Sequence, residues 1–228
     1  MLSKSFDFTL APHMHEHPGE NGNISLNEAA MVAAGFGFRR IRSVNDHPPS
    51  FSRPIAAYAM ILNDNLQYVD RSELLPFVTR LSGTADTPEV ERVREDFLAI
   101  ETVRRIISVI CIERLKNETL AEKCRNASTL EECAAVLKRV RAVALPDACA
   151  HGAAVYAHVA VDFYAKCRGE KSESPAATAA WMAASFDSEG KIFRTAFELL
   201  DAAILLGKHE EINADVAMRR LEKVKAAS

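Results

Sequence analysis

Three histidines spaced two apart, His13, His15 and His17, form the densest group of metal-ligating side chains in the sequence. In an extended segment alternate residues share a side, so the three imidazoles can converge on one ion, and zinc takes such nitrogens readily. The flanking residues argue for an ordinary solvated loop. Pro12, Pro18, Gly19 and Gly22 break regular structure on both sides, and a catalytic metal needs ligands held by a surrounding shell of packed residues. A second group lies on an alanine-rich stretch, where Asp147, His151, His158 and Asp162 fall within about 60 degrees of one another on a helical wheel. Histidine four residues from a carboxylate is a general-base arrangement. Ala150, Ala153, Ala157 and Ala160 lie opposite, so the polar stripe is expected to be the wet face of an amphipathic helix.

Other chemistry is not signalled. Phosphate-cradling and nucleophile-elbow patterns such as G-x-x-x-x-G-K, G-x-G-x-x-G, G-x-S-x-G and H-E-x-x-H do not occur. The pairs Glu131-Glu132 and Glu210-Glu211 are adjacent, so on a helix each member projects about 100 degrees from the other. The five cysteines include no C-x-x-C pair. Cys111, Cys124, Cys133, Cys149 and Cys167 therefore read as reduced, mostly buried thiols, which suits a cytoplasm. A formal charge of −3 gives no reason to expect nucleic acid. The opening residues lack the apolar run of a signal peptide, and no window approaches the roughly 18 apolar residues of a membrane span. The expectation is a cytoplasmic protein with no membrane or nucleic-acid partner and no cofactor.

The elements that would position these residues are helices. Residues 1–24 read as an irregular segment, with Phe6, Phe8 and Leu10 alternating as in a short strand, and 25–228 as one helical domain. Ser25 and Glu28 form a capping box, with Gly35 as the stop. After an irregular connector over 36–51, Ser52 caps a helix to about Asn65, and another is expected from about Ser72 to Ser82. Thr87-Pro88-Glu89 is a cap, a first-turn proline and an acid. It should open a long helix to about Leu115 that buries Val90, Val93, Phe97, Ile100, Ile107 and Cys111. Ser128 to Glu131 reads as a further capping box. Helices then follow at about 147–168, 175–181, 189–206 and 214–225, the last capped by Asn213. The fold class is all-α, with about nine helices in a single alanine-rich bundle or array.

The segment from Asp46 to Asp86 resembles a group of bacterial helical proteins that carry S-D-H-P-x-C-V-S-P-V-I-A-A-F, then W-N-D, then L-x-P-Y-x-x-R-x-x-G-T. The matching residues are Asp46-His47-Pro48, Pro54 to Tyr58, Asn63-Asp64, and Leu74 to Thr84. Arg53 stands where the pattern has serine, Leu62 replaces its tryptophan, and one residue is inserted before Pro54. The resemblance implies a helical fold and no particular activity. It draws attention to Asp46, Asn63, Asp64 and Arg80, polar groups that belong either to loop and cap scaffolding, with Arg80 paired to Asp64, or to the edge of a ligand pocket. A non-catalytic protein that binds a protein partner or itself is the expected function. The alternative is a metal-binding protein or metal-dependent enzyme that uses His13, His15 and His17.

Overall fold

The computed structural model describes residues 10–12, 23–66, 69, 71–166 and 174–226. His13, His15, His17 and Cys167 lie outside them, as do Phe6 and Phe8. The described residues are 70% helical and form ten helices, and the all-α class expected from the sequence is what is found. Among the described residues there is no strand, only two isolated bridges, Leu10 with Ile24 and Phe51 with Ser82. No helix of the described residues is long and apolar enough to cross a membrane.

Local signals set most boundaries. Helix α1 (Leu26–Ala33) begins on the Ser25–Glu28 capping box. It ends where Gly35, at φ 95, lets the Phe36 amide turn back to the Met31 carbonyl, a left-handed turn that a side chain would strain. Helix α2 (Arg53–Asn65) starts on Ser52, whose side chain accepts from the Ile55 amide. The helix expected over 72–82 is much shorter. A 3-10 turn (Arg71–Leu74) precedes α3 (Leu75–Val78), because Pro76 can occupy only a first turn.

A continuous helix, α4, spans 88–113 and contains a π-helical segment (Thr102–Ile107) in which the Ser108 amide reaches the Val103 carbonyl. One extra residue per turn rotates everything beyond it by about 100 degrees relative to a straight wheel. The buried stripe before the π segment is therefore Arg94, Leu98 and Ala99. Val93, expected in the core, is 52% exposed. Ile106 and Ile107 at the end of the π segment, and Ile110 and Cys111 beyond it, are fully buried, as expected for the centre of the core.

The remaining helices are α5 (Glu118–Asn126), α6 (Leu130–Ala144), α7 (Ala148–Lys166), α8 (Pro175–Ala184), α9 (Lys191–Leu205) and α10 (Ala214–Ala226). The second capping box is shifted by one residue, with Thr129 as the cap and Glu132 reaching back. Helix α4 packs against α2 and α5 to α9, while α1 lies against α3 and α10. Ala150, Ala153, Ala154, Ala157 and Ala160 of α7 are fully buried, as are Ala177, Ala179, Ala180 and Ala183 of α8. With so little side chain between them the two axes approach closely. The α7 stripe is not the fully wet face expected from its pattern. Tyr156 and Val159 are exposed, while His151, His158 and Asp162 are half-buried.

Candidate functional site

Polar residues meet between the first turn of α1 and the last turns of α2. The Ser25 hydroxyl accepts from the Glu28 amide, and Glu28 Oε2 accepts from the Ser25 amide at 3.1 Å. Glu28 Oε1 also accepts from the Ile41 amide at 3.4 Å, so a cap residue reaches across to the connector. Asn63 does the same from α2. Its Oδ1 accepts from the Leu26 amide at 3.4 Å, and its Nδ2 donates to the Ala11 carbonyl at 2.9 Å and to Asp64 Oδ1 at 3.1 Å. Asn27 Nδ2 donates to the Ala56 carbonyl at 3.0 Å.

Between these groups is a recess of about 90 Å³ lined by Ser25, Asn27, Ile41, Arg42, Met60, Asn63 and Asp64. Asn27 is 2% exposed, and its Oδ1 has no hydrogen-bond partner. An acceptor held away from water without a donor costs about 1–3 kcal/mol and calls for an explanation at that point. The recess next to it supplies one. Of the four residues singled out in the sequence, Asn63 and Asp64 line it, and Asp46 is one turn away on the connector that carries Arg42. Asn27 and Glu28 were missed, because a polar pair in the first turn of a helix reads as capping.

Asp46 closes its own turn. Burial pushes its carboxyl up, but the Ser43 and Arg42 amides, each 2.8 Å from Oδ2, the Ser43 hydroxyl and the nearby Arg39 charge outweigh that and hold it below the usual value. Its neighbour His47 is 3% exposed, stacks at a tilt on Phe51, and points Nδ1 at the Val44 carbonyl at 3.1 Å. Nδ1 therefore carries the proton, and Nε2 is buried with no partner. Burial pushes the imidazole down to about 4, helped by the Arg53 charge and opposed by the Val44 carbonyl.

This depression makes stability depend on pH. The unfolded chain takes up a proton near 6.5 whereas the folded one does so only near 4. Stability is thus fully present above pH 6.5, falls as pH drops through that window, and levels off below it. The loss is about 3 kcal/mol at about 1.4 kcal/mol per pH unit. Urea unfolding at pH 7 and pH 4.5 should show the drop in the native chain and a clearly smaller one in His47→Gln. Equal pH profiles for the two would disprove the assignment.

Arg80 does not join this group. It pairs with Asp201 rather than Asp64, and its guanidinium sits 5.8 Å from the Phe77 ring centre. It borders a separate open groove with Pro76, Leu205, His209, Glu210 and Glu211. The stripe on α7 is also divided. Asp147 caps its helix by accepting from the Ala150 amide at 3.0 Å and pairs with Arg114 at 2.6 Å, while His151 Nδ1 lies 3.2 Å from the Arg141 carbonyl. Among the described residues no group of three or more histidine, cysteine, aspartate or glutamate side chains is arranged to hold a metal ion. No protein-family model, curated protein or solved structure matches the chain.

Proposed function

We propose that this chain is a cytoplasmic, non-catalytic helical binding protein whose ligand site is the recess between α1 and α2. The observation that carries this reading is the unpartnered Oδ1 of Asn27 in the wall of a recess that also presents the Asp64 carboxyl group. Asp64 Oδ1 already accepts from Asn63 Nδ2, and the other polar groups are committed as well. Ser25 caps α1 and both ends of the Asn63 amide are bonded, which suits holding a ligand better than transforming it. The unmet need is for a donor beside an acid, so the ligand class is a compact molecule bearing an ammonium group. The volume suits only a few heavy atoms, with Ile41 and Met60 as an apolar wall.

Titration of isotope-labelled protein with methylammonium and with glycine, followed by NMR, tests this. The side-chain amide signals of Asn27 and Asn63 should move with saturation, and acetate should leave them unmoved. Asp64→Asn should weaken binding roughly 10- to 100-fold, the worth of one charge-assisted hydrogen bond. Shifts that fail to saturate, or that acetate reproduces, would rule the recess out as an ammonium site.

A further inference from the structure

The recess between α1 and α2 is lined by charges of both signs. Asp64 comes from α2 and Arg42 from the connector. Arg42 is exposed, and its backbone amide donates to Asp46 Oδ2 at 2.8 Å. Its guanidinium meets no acid and no carbonyl among the described residues. Asn27, by contrast, is 2% exposed. Its amide cannot turn over, because Nδ2 is committed to the Ala56 carbonyl at 3.0 Å, so the unpartnered Oδ1 is a fixed acceptor in the recess wall.

A simple ammonium ion satisfies that acceptor but leaves the Arg42 cation near a like charge. A molecule with a carboxylate next to its ammonium group meets both needs. We propose that the ligand is a small free α-amino acid, glycine or alanine, with its ammonium group on Asn27 Oδ1 and its carboxylate on Arg42. This assignment rests on the reading of the recess as an ammonium site and supplies the other half of the ligand.

Burial fixes the orientation. A carboxylate turned inward would set its oxygens against Asn27 Oδ1 and the Asp64 acid, acceptor against acceptor, where water is excluded from Asn27. Turned outward, it meets a guanidinium whose forked donors match two carboxylate oxygens. Asn63 does not compete for the carboxylate, since its Nδ2 donates to the Ala11 carbonyl and to Asp64. Size limits the side chain. In about 90 Å³, Ile41 and Met60 offer an apolar wall to a methyl group and leave no room for a longer chain.

Calorimetric titration of the full chain with glycine, glycinamide and methylammonium tests the assignment. Glycinamide keeps the ammonium group and the size of glycine but replaces the carboxylate with an uncharged amide. Glycine should bind the native chain about 10- to 100-fold more tightly than glycinamide, the worth of a charge-assisted contact to a guanidinium. Arg42→Gln should abolish that difference by weakening glycine. Methylammonium, relieved of a like charge, should bind this variant about twofold more tightly. The substitution leaves in place the Arg42 amide that Asp46 holds, and the comparison on the native chain decides the matter even if the variant folds poorly. Equal affinities of glycine and glycinamide for the native chain, with saturable binding of methylammonium, would overturn the amino-acid assignment and leave the ammonium site standing. Absence of saturable binding by all three compounds would overturn both.

Discussion

Replacing Arg94 with alanine is expected to cost about 3–5 kcal/mol of unfolding free energy, the cost of breaking a buried, hydrogen-bonded ion pair from one side. Arg94 is fully buried on α4. Its guanidinium donates to the Thr84 carbonyl, to Glu91 Oε1 at 3.2 Å and to the Lys208 carbonyl at 3.1 Å, so three chain segments meet on one side chain. Glu91 in turn accepts from the Ser52 hydroxyl and from the Asp86 amide at 3.0 Å. Asp86 accepts from the Lys208 amide at 2.7 Å, completing a ring of polar contacts. Gly207 belongs to the same knot, since a Cβ there would stand 2.5 Å from Val90 Cγ1 and 2.8 Å from the Arg94 guanidinium. Without the guanidinium two carbonyls and one acid each lose a donor together. Arg94→Lys keeps the charge but not the fork, so it should recover only part of the loss. Urea denaturation of both variants gives the measurement, and a cost below about 1 kcal/mol for alanine would show that water replaces the guanidinium without penalty.

Ile107→Ala is expected to cost about 2–5 kcal/mol, from lost transfer energy and a cavity that the neighbouring helices fill only in part. Ile107 is fully buried at the end of the π segment of α4, the helix that packs against six others. Glu122 on α5 is exposed, and its replacement by alanine should cost about 0.5 kcal/mol or less. The pair controls for general effects of substitution. Small and equal losses at the two positions would mean that the core does not centre on α4.

The sequence by itself determined what depends on near neighbours in the chain. Ser25 with Glu28, Ser52 before Arg53, Thr87 before Pro88 and Asn213 before Ala214 each satisfy amides within one turn, so the starts of those helices are legible from residue types alone. The stripe of Ile192, Phe193, Ala196, Phe197, Leu200, Ala203 and Ile204 is equally legible, because α9 is regular and its period holds throughout. Tertiary structure alone decided the rest. The π segment of α4 shifts the phase of the wheel, so periodicity extrapolated across it placed Val93 inside and overlooked Arg94. Arg80 found Asp201 rather than Asp64, and Asn63 found Leu26 and Ala11, at sequence separations where no local pattern operates. The recess is of this second kind. Asn27 and Glu28 look like first-turn polar residues until α2 and the connector are laid against α1, and only then does one become an acceptor without a donor and the other a tie to Ile41. Caps and stripes are written in neighbouring residues because their energies are local; a polar site between helices is fixed by which surfaces pack together.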